Sequence, residues 1–211
     1  MILIVVGGDR VPEELLGHAA LKAEMVIAAD RGAWYCLQAG IIPDLVVGDM
    51  DSIPEEALEE LQDGKVTILT FSPHKDKTDT QIALEVALKR GAREIEILSG
   101  IGARFDHSLA NVHLLHLALK AGVRARIVSE RQIIFLIEGE CTLTNEEGTT
   151  ISFLPLGMMA SGITLKGFAY ELDDATMEIG LPWGVSNVIT DQHALVRVRE
   201  GILIAVLVKK E

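Results

Sequence analysis

Cysteine and basic charge are both in short supply here, and each shortage removes a class of function. Cys36 and Cys141 stand far apart and match neither a disulfide framework nor a zinc-ligand spacing. They read as free, buried thiols of a reducing cytosol. Lys and Arg total 19 against 31 Asp and Glu, a formal net charge of −12. Nucleic acids and anionic membranes reward basic patches, so neither is an expected partner. No apolar run reaches the length that spans a bilayer. Met1–Val6 is apolar but short, lacks a basic leader and runs straight into Gly7-Gly8-Asp9. It reads as a first strand rather than a targeting segment, and the chain reads as cytoplasmic. Repeats and low-complexity tracts are missing as well.

What is present is enough apolar material for a sizeable core: 49% of 211 residues are hydrophobic, which suits one large domain or two small ones. Through about residue 130, short apolar runs alternate with helical spacing. Ile2–Val6, Met25–Ala29, Leu45–Val47, Val66–Phe71, Ile95–Leu98 and Arg124–Val128 read as strands. Helices are expected after Pro12-Glu13-Glu14, through Trp34–Gln38, after Ser52 as a cap with Pro54 behind it, over Thr80–Lys89, and from Leu109 to Leu119. This alternation predicts a parallel sheet with flanking helices, Rossmann-like. Beyond Ser129–Arg131 the texture changes. Ile133–Ile137, Thr149–Leu154, Ile163–Leu165, Ala194–Val198 and Ile202–Val208 are short, β-branched and punctuated by glycine. They predict a small antiparallel β-sandwich or barrel. The expected domains are therefore 1–130, α/β, and 131–211, β-rich.

Every charged or glycine-rich cluster of the first half falls at a strand's carboxyl end, where open α/β sheets bind ligands. Asp30-Arg31-Gly32-Ala33 enters a helix, where backbone N–H groups can meet phosphate; Asp30 as a plain helix cap is the alternative. Gly48-Asp49-Met50-Asp51-Ser52 sets two carboxylates one residue apart. They repel unless a cation lies between them, and Mg2+ with phosphates completing its shell supplies that charge. The same DxD resembles the nucleophile motif of haloacid-dehalogenase-type phosphatases, although it is not on the first strand. Lys75-Asp76-Lys77-Thr78-Asp79 precedes a helix: Thr78 or Asp79 caps it, or Asp79 serves metal and a lysine serves phosphate. In Gly102-Ala103-Arg104-Phe105-Asp106-His107, Arg104 can clamp phosphate oxygens, and Asp106 holds the arginine, caps the helix or acts on substrate. His107 is a weaker candidate, and His113 and His116 read as packed.

The order and spacing of these four clusters are similar to those of thiamine pyrophosphokinases. So are Gly162-Ile163-Thr164-Leu165-Lys166-Gly167, Leu172 and Gly184-Val185-Ser186-Asn187 in the second half. The resemblance covers nearly the whole chain. It implies ATP-dependent pyrophosphoryl transfer to thiamine, giving thiamine diphosphate and AMP. It further implies a nucleotide-binding α/β domain, a β-rich thiamine-binding domain and a homodimer. Asp49, Asp51 and Asp79 would form the magnesium and phosphate centre, with Asp30 nearby. Lys75, Thr78, Arg104 and Asp106 would handle the nucleotide, and Ser186 and Asn187 the thiamine. Trp183 beside them is a candidate for stacking on that flat cation, against the alternative of an ordinary packed tryptophan. Two departures stand out: Arg31 and Ser99 occupy positions where the family commonly has glycine. The rival readings are a dehalogenase-type phosphatase with Asp49 as nucleophile, and a non-catalytic thiamine or nucleotide sensor.

Overall fold

A computed structural model describes residues 1–64, 66–71 and 76–209. The chain divides into two compact units, Met1–Glu130 and Arg131–Glu211.

In the first unit, six strands form a wholly parallel sheet: β1 (Ile2–Val5), β2 (Met25–Ala29), β3 (Leu45–Gly48), β4 (Thr67–Thr70), β5 (Glu94–Leu98) and β6 (Arg124–Val128). Their order is β4-β3-β2-β1-β5-β6. The chain thus steps outward from β1 to β4, then returns to lay β5 against the other side of β1. β1 is buried throughout and β3 likewise, as strands covered on both faces must be. The helices are α1 (Glu13–Lys22), α2 (Arg31–Gln38), α3 (Glu55–Asp63), α4 (Asp79–Lys89) and α5 (Phe105–Lys120). α4 packs on β1, β2 and β3 and against α5. No helix among the described residues is long and apolar enough to cross a membrane.

Three local expectations need correction. Ser52 caps nothing: α3 starts after Pro54, whose fixed φ suits a helix entrance, and the buried Ser52 hydroxyl has no hydrogen-bond partner among the described residues. His113 is exposed, because it falls on the outer side of α5 between the buried Val112 and Leu115. Cys36 is buried, which pushes its thiol up to about 12, but Cys141 is only half-buried.

Among the described residues two charged pairs join β5 and β6, the exposed Glu94–Arg124 and the less exposed Glu96–Arg126. Glu96 on β5 is 7% exposed and accepts two bonds from Arg126 on β6, from Nε at 2.9 Å and Nη2 at 2.7 Å. Arg126→Ala strands that carboxylate. The expected loss is about 1.5–3 kcal/mol, read as a lower urea midpoint with unchanged slope. Adding Glu96→Leu should recover most of it, since an apolar pair of similar volume replaces a buried ion pair at little cost.

The second unit is antiparallel: β7 (Gln132–Thr144), β8 (Thr150–Pro155), β9 (Met159–Lys166), β10 (Leu172–Glu178), β11 (Asn187–Val188) and β12 (His193–Val208). The two segments expected at Ala194–Val198 and Ile202–Val208 are one long strand. Gly201, at φ +87, absorbs a register shift between Val198 and Leu203, so the chain bends without leaving the sheet. Before the bend β12 pairs with β7 and β9; after it, with β7 and β8. β10 escaped the sequence pattern because Asp173, Asp174 and Glu178 break up its apolar content. Among the described residues of this unit it pairs with β9 alone, and an edge strand carries charge readily. Ile151, Phe153, Ile163, Leu165, Phe168, Val196, Leu203 and Ala205 fill the core, with Phe153 and Phe168 meeting edge to face at 5.8 Å.

Candidate active site

The strand order reverses between β1 and β5, and a cleft of about 740 Å³ opens at the carboxyl ends of these strands. Residues following β1, β2, β3 and β5 line it, together with the start of α4. Its floor is a lattice of bonds between distant loops. Gly8 N–H donates to the Ser99 carbonyl at 2.8 Å and Asp9 N–H to that of Ile101 at 2.9 Å. Ala103 N–H donates to Asp9 Oδ1 at 3.2 Å. The buried Asn111 and Ser108 reach back from α5: Asn111 Nδ2 donates to the Gly100 carbonyl at 2.7 Å, and Gly102 N–H donates to Ser108 Oγ at 3.0 Å.

Asp30 directly follows β2 at φ 47 and does not cap α2 through its side chain. It lines the cleft, and its place depends on β3. A Cβ on Gly48 would overlap Asp30 Oδ1, and Gly48 itself sits at φ +148, where glycine is favoured. The DxD loop then turns back on itself, with Asp51 N–H donating to Asp49 Oδ1 at 3.2 Å. The Asp49 carboxylate beside Asp51 holds the latter's carboxyl above its ordinary range; Asp79 pushes the same way, and Arg31 opposes. Asp51 and Asp79 face the cleft, while Asp49 lies beside it without lining it.

Thr78, not Asp79, caps α4: Gln81 N–H donates to Thr78 Oγ1 at 3.2 Å. Both residues line the cleft. Lys77 is engaged by Glu85, donating to its two oxygens at 2.8 and 2.7 Å. Lys75 lies outside the described residues. Arg104 lines the cleft, and its Nη2 meets Asp106 Oδ2 at 2.6 Å; that bond holds the Asp106 carboxyl below the usual carboxylate range. Asp106 is therefore the arginine's partner and does not itself line the cleft.

The remaining candidates belong to the second unit. Trp183 is 49% exposed, and Ser186 is exposed at φ +60. The buried Asn187 spends its amide on the backbone: Oδ1 accepts from Tyr170 N–H at 3.0 Å and Val188 N–H at 2.9 Å, and Nδ2 donates to the Tyr170 carbonyl at 2.8 Å. Its evident task is to shape the loop that presents Ser186.

Comparison with known proteins decides the family. The family model "Thiamin pyrophosphokinase, catalytic domain" matches residues 16–127, and "Thiamin pyrophosphokinase, vitamin B1 binding domain" matches residues 140–203. Thiamine pyrophosphokinase of Bacillus subtilis is 31% identical over 209 residues, 97% of each chain. The chain belongs to the thiamine pyrophosphokinase family. The crystal structure of the Bacillus subtilis enzyme superposes with a TM-score of 0.90 at 29% identity, covering 100% of this chain and 99% of that one. That of Thiamin pyrophosphokinase from Geobacillus thermodenitrificans gives 0.86, also at 29% identity and with the same coverage.

The resemblance drawn from four spaced clusters is thus borne out, as is the α/β plus all-β fold. Neither the dehalogenase-type phosphatase nor the sensor finds support. In this chain the DxD directly follows the third strand, among loops that no single motif identifies. Sequence reading missed Asp9, Tyr35, Ser108 and Asn111 in that setting. Tyr35 donates to the Gly8 carbonyl at 3.0 Å. A signal for Asp9 was available, since Gly7-Gly8-Asp9 shares the strand-end address of the other clusters. Asn111 was visible as a lone amide on an apolar helix.

Proposed function

We infer that this chain transfers the pyrophosphoryl group of ATP to the hydroxyl of thiamine, releasing thiamine diphosphate and AMP. The observation that carries the reading is the convergence of Asp30, Asp51, Thr78, Asp79 and Arg104 on one cleft in a chain of this family. The thiamine hydroxyl attacks the β-phosphorus in line and AMP departs, a transfer that depends on positioning and charge neutralisation more than on covalent chemistry. The carboxylates of Asp49, Asp51 and Asp79, with Asp30 beside them, organise the phosphate end. Arg104 offsets charge on the transferring group, and Thr78 and Lys75 serve the nucleotide. Asp79 orients or accepts the hydroxyl proton in preference to Asp106, because Arg104 already occupies Asp106.

Magnesium belongs to the same reading. Among the described residues no three His, Cys, Asp or Glu side chains make a ready metal group. The donor chemistry nonetheless fits: crowded carboxylates that raise one another's proton affinity are hard oxygen donors in want of a cation, and phosphate oxygens complete such a shell. When bound, Mg2+ neutralises charge on the phosphates. Thiamine lies with Trp183, Ser186 and the Asn187 loop of the second unit. That unit exposes the apolar side chains of Met158, Met159, Ile179, Leu181, Trp183 and Val185, and their number supports a homodimer. Free Cys36 and Cys141 support the cytoplasm as the setting.

A coupled assay for AMP with ATP and Mg2+, with and without thiamine, tests the reading. Thiamine-dependent AMP with matching thiamine diphosphate is expected. AMP formation indifferent to thiamine would overturn the acceptor.

A further inference from the structure

Among the described residues, three arginines line the cleft: Arg10, Arg31 and Arg104. Two are already committed to carboxylates. Arg10 meets Glu13 at 2.5 Å, and Arg104 meets Asp106 at 2.6 Å. Arg31 pairs with no carboxylate and donates no side-chain hydrogen bond among the described residues. It is exposed to the cleft, and its stem rises beside the end of β1, where a Cβ on Gly7 would come within 3.2 Å of Arg31 Cβ. Asp30 precedes it, and its charge reaches Asp51.

This is an unusual way to leave a guanidinium in so acidic a setting. Asp9, Asp30, Asp51 and Asp79 share the cleft, yet none ties Arg31 down. A guanidinium with five unspent donors beside a phosphate-handling centre is matched to the oxygens of an incoming polyphosphate, which it can hold in bidentate fashion. Its neighbours indicate which phosphates. Arg31 follows Asp30 at the end of β2 and influences Asp51 at the end of β3, so it faces the carboxylate centre.

We propose that Arg31 binds the pyrophosphoryl group of ATP that is transferred, as the uncommitted arginine of the cleft among the described residues. This rests on the ATP-dependent reading above. It assigns a contact to a residue that stands where the resemblance leads one to expect glycine. Because Arg31 makes no side-chain hydrogen bond or ion pair among the described residues, its removal should spare stability.

The test compares wild type, Arg31→Ala and Arg31→Lys by calorimetric titration with ATP, AMP and inorganic pyrophosphate, alongside thermal melting. Expected for Arg31→Ala is ATP and pyrophosphate affinity lower by about 10- to 100-fold, AMP affinity within twofold of wild type and an unchanged Tm. Arg31→Lys should fall between, since a point charge replaces part of a fork. Unchanged ATP affinity in Arg31→Ala overturns the proposal. So does equal weakening of ATP and AMP, which would move the contact to the AMP portion. Nucleotide titration needs no acceptor. A wild-type chain that binds ATP but forms no thiamine-dependent AMP would therefore reject the functional reading while leaving the Arg31 result to stand by itself.

Discussion

Asp51→Asn is expected to lower thiamine-dependent AMP formation by about 10²–10³-fold and, in the same protein, to raise the melting temperature at neutral pH without divalent metal. Both effects have one origin. Asp51 shares its loop with Asp49 and looks across at Asp79, so its carboxyl holds a proton more tightly when folded than when unfolded. A carboxyl raised in this way costs stability once ionised. Stability falls as pH rises through the window between the ordinary carboxylate range and the raised value, and is recovered as pH falls back through it. The asparagine variant has no such charge, and its stability should be flat across that window. Mg2+ should stabilise wild type more than the variant, because the ion relieves the crowding that the variant lacks. Asp49→Asn should give a similar loss of turnover with the fold intact. Near-normal turnover in both variants would remove the carboxylate pair from the mechanism. A lower melting temperature for Asp51→Asn would mean that its charge is stabilising and the crowding argument wrong.

How much of this was open to sequence reading depends on whether a feature is local. The parallel half was legible because each strand is a buried run ending in punctuation. Met25–Ala29 closes on Asp30-Arg31-Gly32 and Leu45–Gly48 on Asp49-Met50-Asp51, so strand and site residue were found together. Thr78 as cap was readable as one of two options because its partner, Gln81, is three residues away. The bonds that fix the cleft floor are of another kind. Asp9 and Ala103 are separated by 94 positions, and nothing near either residue announces the other. Only the return of the chain to β5 beside β1 brings them together.

The second half hid more because its strands do not each carry a signature. Arg199-Glu200-Gly201 looks like a turn between two strands and is a bend within one; whether such a segment leaves the sheet depends on partners, and β9 supplies one at Ser161 opposite Glu200. Asn187 shows a different limit. The motif marks the residue, but its amide is spent on Tyr170, so what the motif records there is a loop shape. A signature residue can be indispensable for holding its neighbour in place.

Arg104→Ala should also cost about 10²–10³-fold in turnover, and its partner makes the expectation specific. In the resting protein the guanidinium is bound to Asp106, both side chains being well exposed at the start of α5. Exposed pairs contribute little to stability, so the pairing is better understood as aiming the arginine than as holding the fold. Asp106→Asn should then change the melting temperature little, raise the KM for ATP more than it lowers kcat, and leave the KM for thiamine alone. The carboxyl of Asp106 is depressed by the arginine, so the pairing is fully present above the ordinary carboxylate range and is lost only as pH falls through the depressed value. An acid limb of the activity that arises near the ordinary range or above it therefore points to the carboxylates of the centre, Asp51 among them, rather than to Asp106. The pH profile of Asp106→Asn separates the two: its acid limb should coincide with that of wild type. If it shifts, Asp106 is titrating in the reaction, and the assignment of the proton-handling carboxylate to Asp79 would have to pass to Asp106.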